Sequence, residues 1–188
     1  PAEIESADLS GLALELALWG ATPDDLPFPS PPNPGAYAEA QALLRMLGAL
    51  DEANLVTPHG KMLAKLPLHP RLAHMLSLAG PQAAPLAALL SDRDPLTGAP
   101  SDIALRLEAI ADPRRFAERR PHGVNRGALE RIRTEAKRLA KRAGPGDGEV
   151  LGAAAQAALA YPDRVGLHRN GDAPRFQLSG GKGAVMDA

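Results

Sequence analysis

Arg126, Arg133, Lys137 and Lys141 recur at spacings that bring four cations near one stripe of a helix. Such a stripe can follow the phosphates of a single nucleic-acid strand, each contact releasing counterions and making binding salt-dependent. Without stacking aromatics or contacts to base edges, the sequence preference of such a row is weak. The competing reading is a solvated helix face, which is the commoner fate of an isolated charge run.

The other reactive side chains form no catalytic pattern. His69 and His74 stand five apart and lack the His-Glu-x-x-His spacing that aligns two metal ligands and a base on one helix face, so surface or capping roles are expected and no metal is assigned. The stretch Ser179-Gly180-Gly181-Lys182-Gly183 resembles half a phosphate loop, but Phe176 stands where the first glycine belongs and a glycine follows the lysine. A plain turn is the expectation. The carboxylates have no His or Ser beside them at a spacing that implies a nucleophile and its base, and no catalytic residue is assigned.

The elements that must position the basic stripe follow from apolar periodicity. Leu9, Leu12, Ala13, Leu16 and Trp19 share one face of a first helix, with Asp8 placed to cap its start and Gly20 its end. The proline-rich residues 23–34 lack the donors a helix needs and read as an extended connector. A second helix over about 36–47 buries Tyr37, Ala40, Leu43, Leu44 and Leu47 and stops at Gly48. A short strand over 50–57 and a helical turn with Met62, Leu63 and Leu66 complete the order of a small winged-helix-like unit.

Beyond Pro70 the pattern is helical. Apolar sets occur at Leu72, Met75, Leu76 and Ala79, then at Leu86, Leu89 and Leu90, then at Ile103, Leu107 and Ile110, the last capped by Ser101 and terminated by Asp112-Pro113. The longest helix, over about 125–142, has Leu129, Ile132, Ala136, Leu139 and Ala143 as its buried stripe and carries the basic row. An Ala-rich helix over about 150–160 leads to a hairpin with its turn at Asn170-Gly171-Asp172 and a strand at Phe176-Gln177-Leu178. The expected fold is mainly α, with a β tail that looks truncated.

Composition agrees. Ala, Leu, Gly and Pro dominate and aromatics make up only 3% of the 188 residues, which favours short helices over a β-sandwich. With no cysteine there is neither a disulfide framework nor a thiolate metal site, and a reducing, cytoplasmic setting is the default. No run approaches the roughly 18 apolar residues of a membrane span, so no membrane partner is expected. The net charge of -1 conceals a dipole. Residues 1–60 hold one base, Arg45, against nine acids, whereas residues 106–142 hold twelve bases against five acids. One segment is suited to a polyanion and the other is not.

The segment Leu66-Pro67-Leu68-His69-Pro70-Arg71-Leu72-Ala73-His74-Met75-Leu76 resembles the helicase-associated region of DEAH-box helicases, where a winged helix ends in a Leu-Pro-Leu-x-Pro turn. Upstream, the segments ending in Leu18-Trp19-Gly20, Leu47-Gly48-Ala49-Leu50 and Thr57-Pro58-His59-Gly60 are similar to that winged helix. Downstream, Ser91-Asp92-Arg93-Asp94-Pro95-Leu96, Leu105-Arg106-Leu107-Glu108 and Tyr161-Pro162-Asp163-Arg164-Val165 are similar to the bacterial HrpB-type branch. The likeness runs over essentially the whole chain.

The resemblance implies a winged-helix domain over residues 1–69, a helical ratchet domain over 70–149, and a last helix with the opening strands of an OB-like domain over 150–188. It implies an accessory fragment that lines a channel for single-stranded RNA (or DNA) and docks through its acidic half on RecA-like motor domains of the same parent chain. ATP and magnesium would belong to those motors, because neither a Walker A loop nor an Asp-Glu-Ala-His box occurs here. In that frame Arg126, Arg133, Lys137 and Lys141 are the candidate nucleic-acid-binding residues, and the fragment is not itself catalytic. The alternatives are a protein-interaction scaffold without nucleic-acid contact and a stand-alone winged-helix DNA binder. The second is disfavoured by the acidic balance of residues 1–60.

Overall fold

The computed structural model describes residue 4, residues 7–171 and residues 174–185. The fold is mainly helical with small antiparallel sheets, as expected. The chain divides into two compact units, Pro1–Ser77 and Leu78–Ala188.

In the first unit, helix α1 (Ser10–Trp19) packs on α2 (Pro34–Met46), and α3 (Pro58–Leu63) and the start of α4 (Pro70–Ala79) complete the core. Leu9, Ala13, Leu14, Leu44, Leu50 and Leu63 are all buried in it. Trp19 is not, contrary to its place in the expected stripe. It is 68% exposed, and Leu14 and Ser10 are buried instead, so the inner face of α1 is rotated from the expected one.

The caps account for the helix limits. Asn33 accepts from the Gly35 and Ala36 amides, Pro34 opens α2 where no donor is needed, and Gly48 takes the left-handed conformation (φ 69°) that ends it. The connector over 23–34 is not wholly extended. Pro23–Asp25 forms a 3-10 turn held by Thr22 and Asp25 in a reciprocal cap, and Pro34 already belongs to α2.

The strand expected over 50–57 reduces to a single bridge, Leu50 to Val56. Asp51 explains this, since its carboxylate accepts from the Ala53 and Leu55 amides and curls the chain into a tight turn with Asn54 at φ 60°.

In the second unit a 3-10 turn (Gly80–Ala83) leads into α5 (Ala84–Leu90), followed by β1 (Leu96–Thr97), α6 (Ile103–Ala111), α7 (Pro113–Arg119), β2 (Gly123–Val124) and α8 (Arg126–Arg142). Helix α8 packs chiefly on α5 and also touches α6 and the 3-10 turn. Two sequence expectations are corrected here. Asp102, not Ser101, caps α6, accepting from the Ala104 amide. Asp112-Pro113 ends α6 but also starts α7, because Asp112 accepts from the Arg115 amide while Pro113 supplies a preset first helical residue. Phe116 on α7 is fully buried.

The loop before α6 is fixed by Arg106, which is almost fully buried. Its Nη2 lies 2.6 Å from Asp94, and its Nη1 donates to the carbonyls of Pro100 and Asp102. Strands β1 and β2 pair antiparallel, and the Asn125 amide donates to the Pro95 carbonyl, so the start of α8 is tied to this loop.

Helix α9 (Ala153–Ala160) and a 3-10 turn (Pro162–Arg164) precede a three-stranded antiparallel sheet of β3 (Gly166–His168), β4 (Arg175–Leu178) and β5 (Gly183–Val185). The expected strand at Phe176-Gln177-Leu178 is β4, and the sequence reading did not include β5. Of the expected hairpin turn, Asp172 lies outside the described residues. Among the described residues no helix is long and apolar enough to cross a membrane.

Past the end of α8 the backbone doubles back tightly against the 3-10 turn. Gly80 and Gly146 both have positive φ (72° and 71°), and a Cβ on Gly146 would stand 2.6 Å from the Gly80 nitrogen. Gln82 holds the same crossing by donating to the Ala79 and Glu149 carbonyls and accepting from the Leu151 amide. Gly146→Ala is expected to destabilise the protein by about 2–4 kcal/mol, since backbone on both sides must move. Thermal unfolding would check this, with Gly144→Ala, which meets nothing within 4 Å, as the near-neutral control.

Candidate nucleic-acid interface

Helix α8 begins where Asn125 accepts from the Ala128 amide, and its inner face is Ala128, Leu129, Ile132, Ala136 and Leu139, all buried. At 3.6 residues per turn this face sets the direction of every charge on the helix. Arg126, Arg133, Lys137 and Lys141 fall on one flank, whereas Arg131, Arg138 and Arg142 fall on the other.

The two flanks differ electrostatically. Arg131 reaches Asp92 at the end of α5, with Nη2 3.0 Å from the carboxylate. That hydrogen bond holds Asp92 below the usual carboxylate range and raises Arg131. Arg138 lies 3.2 Å from Glu135. Among the described residues none of Arg126, Arg133, Lys137 or Lys141 makes an ion pair. Arg133 is half-buried and the other three are exposed.

The structure brings Arg126 and Arg133 to a common cleft of about 700 Å³ between α7 and the first half of α8, where Arg114 joins them. Ala111, Pro113, Ala117, Val124 and Leu129 supply an apolar lining, and Asp112 and Glu130 add two carboxylates. Lys137 and Lys141 are not part of this cleft and continue the row along the helix. Arg114 is the functional candidate that the sequence reading omitted, because a segment read as a helix stop gave no reason to place a side chain beside α8. The usable signal was the Asp112-Pro113 pair itself, which serves equally as a helix start.

The remaining polar clusters are structural. Ser10 is fully buried, its hydroxyl donating to Asp8 and lying 2.9 Å from His69 Nε2. The grouping has the membership of a nucleophilic triad but not its polarity. His69 Nδ1 accepts from the Arg71 amide, so Nε2 carries the proton and is a donor toward Ser10 and Asp8. A histidine in that tautomer cannot take a proton from serine, and the cluster instead joins the start of α1 to the start of α4. Burial raises the Asp8 carboxyl, but hydrogen bonds from Ser10 and His69 outweigh it and leave the group below its ordinary value.

His74, expected as a surface or capping residue, is half-buried and packs edge-on to His59, with Nδ1 2.8 Å from His59 Nε2. Desolvation, with the neighbouring His59 adding to it, lowers His74 to about 4. Among the described residues no group of three or more His, Cys, Asp or Glu is arranged to hold a metal.

The segment Ser179-Gly180-Gly181-Lys182 is a turn between β4 and β5, as expected. Its amides are spent: Ser179, Gly180 and Gly181 donate to the carbonyls of Val165, Asp163 and Leu178. Those three amides are therefore not available to a nucleotide phosphate.

No family model matches the sequence. Individual proteins do. The chain is 33% identical over 192 residues to the ATP-dependent RNA helicase HrpB of Escherichia coli (strain K12), a match covering 99% of this chain and 21% of that protein. It is also 33% identical over 132 residues to the probable ATP-dependent RNA helicase DHX34 of Homo sapiens, covering 66% of this chain and 11% of that protein. The crystal structure of the E. coli DExH-box NTPase HrpB superposes with a TM-score of 0.72 at 31% identity, over 100% of this chain and 21% of the other.

These relatives are DEAH-box RNA helicases. Among them, the chain is homologous over nearly its whole length to about a fifth of E. coli HrpB, whose full length it does not span.

The histidine pair has a measurable consequence. A histidine whose folded pKa lies below its unfolded value near 6.5 favours the neutral state on folding. Its stabilisation is present above pH 6.5 and declines as the pH falls toward about 4. Denaturant unfolding between pH 7 and 4 should therefore show a loss of about 2 kcal/mol after solvent screening. His74→Leu should flatten that slope.

Proposed function

We propose that this chain is the accessory, strand-guiding part of an ATP-dependent helicase, in which the free flank of α8 holds the phosphates of single-stranded RNA. In this reading residues 1–69 form a winged-helix domain, 70–149 a ratchet domain, and 150–188 a last helix and the opening of an OB-like domain. The RecA-like motors, with their ATP and magnesium, belong to the parent protein, which acts in the cytoplasm. The E. coli and human relatives bear the name ATP-dependent RNA helicase, which supports RNA as the strand.

The observation that carries the proposal is the unequal use of charge on α8. Acids from within the unit neutralise Arg131 and Arg138, but the row Arg126, Arg133, Lys137 and Lys141 has no such partner among the described residues. Four unpaired cations on one flank repel each other and are stabilised by a polyanion laid along them. The first unit is suited to a different task. It is acidic, and Trp19, Met46, Leu55 and Met62 are exposed on it, which supports docking on protein rather than on phosphate. A scaffold without nucleic-acid contact is the alternative that this surface would favour if the row proved inert.

Fluorescence anisotropy with single-stranded RNA over a range of salt tests the reading. Each phosphate contact contributes about 0.7 to the slope of log affinity against log salt. Changing Arg126, Arg133, Lys137 and Lys141 together to Ala should flatten the slope by about 2–3. The pair Arg131→Ala and Arg138→Ala should leave it nearly unchanged. Equal affinity and slope in the fourfold variant and the parent would exclude strand guiding by this row.

A further inference from the structure

We infer that the cleft between α7 and α8 receives one unstacked base of the bound strand, and that Glu130 selects bases carrying an exocyclic amino group. The inference rests on the strand-guiding reading and concerns the same flank of α8.

Three features of the cleft do not fit a site for phosphate alone. Its volume of about 700 Å³ is in the range of pockets that enclose whole ring systems, far beyond the needs of one phosphate group. Part of its lining is carbon, from Pro113, Val124 and Leu129 among others, a surface that gains from contact with the face of a ring and gains nothing from an anion. It also contains a carboxylate in the middle of a cationic row. Glu130 stands four residues after Arg126 and three before Arg133, and among the described residues it makes no ion pair or hydrogen bond.

An unpaired carboxylate there repels phosphate, so it weakens any site that serves the backbone only. It is a good acceptor for N–H donors. The neighbouring Asp112 spends one oxygen capping α7 through the Arg115 amide, whereas the Glu130 carboxylate accepts nothing from the protein among the described residues.

A nucleotide satisfies all three features at once. With its base on the apolar part of the lining, its phosphates lie at the rim beside Arg114, Arg126 and Arg133, and a guanidinium plane can cover the exposed ring face in place of an aromatic side chain. Glu130 then accepts from the amino group of cytosine, adenine or guanine. Uracil offers a single N–H flanked by two carbonyl oxygens, which face the carboxylate unfavourably. Arg114 becomes a third cation of the site, contributed by α7.

The test uses the whole chain and short single strands of about 12 nucleotides. Oligocytidylate should bind about tenfold more tightly than oligouridylate, the size expected for one hydrogen bond to a charged acceptor. Glu130→Gln, which both donates and accepts, should bring the two within about twofold while leaving the salt slope unchanged. Ala117→Leu, which fills the cleft, should abolish the preference as well, and abasic strands should bind wild type and Ala117→Leu alike. Equal binding of the two oligonucleotides by wild type, or a preference that survives Glu130→Gln, overturns the base pocket but leaves strand guiding intact if the salt slope still depends on the row. Failure of every single strand to bind overturns both readings.

Discussion

The rotational setting of α8 on α5 is the constraint from which the rest of the second unit follows. Leu129, Ile132 and Leu139 are buried to 3% or less, and the free energy of hiding three such side chains, about 1.5–3 kcal/mol each, far exceeds anything an exposed charge pair contributes. The charges therefore take whatever directions the apolar stripe leaves them. A helix rotated by one residue would move the row by about 100° and expose Ile132 or Leu139. Packing, not electrostatics, decides which cations face outward.

The local acids then divide those cations into two populations. Asp92 lies at the end of α5, the helix that receives the stripe, and so comes within reach of Arg131 on that side only. Glu135 serves Arg138 through the ordinary spacing of neighbouring helix turns. On the opposite flank α7 adds Arg114 beside Arg126 and Arg133, with Asp112 and Glu130 as the carboxylates of the same cleft. Within the second unit, the neutralisation of α8 cations that does occur is confined to the flank away from the row.

Much of this was legible in the sequence, for identifiable reasons. The stripe of α8 has the helical period and is bounded by Asn125 and a glycine-rich stretch, so its limits and its basic row were readable, as was the mainly helical class. What could not be read depended on side chains answering the backbone. Asp51 turns an apparent strand into a tight loop, Asp102 takes the capping role that Ser101 was equally able to fill, and Asp112-Pro113 is ambiguous between stop and start until Phe116 is seen to be buried. Trp19 was assigned inward by periodicity, but one large side chain can leave a face whose neighbours are filled by Leu14 and Leu16. The cleft was invisible for the same reason as α7, since a pocket exists only when both of its walls are known. The histidine pair joins residues fifteen positions apart, and no local pattern announces it.

Both ends of α8 are anchored through backbone. At its start the Asn125 amide is bonded to the Pro95 carbonyl, and beyond its end Gly146 lies against Gly80 with no room for even a methyl group. A rod fastened in this way can neither slide along its axis nor roll by a turn without breaking an attachment. Tension applied to anything gripping its outer surface passes into the surrounding bundle as a whole, and the spacing between its cations is preserved under load, as the markings on a ruler are when the ruler is pulled.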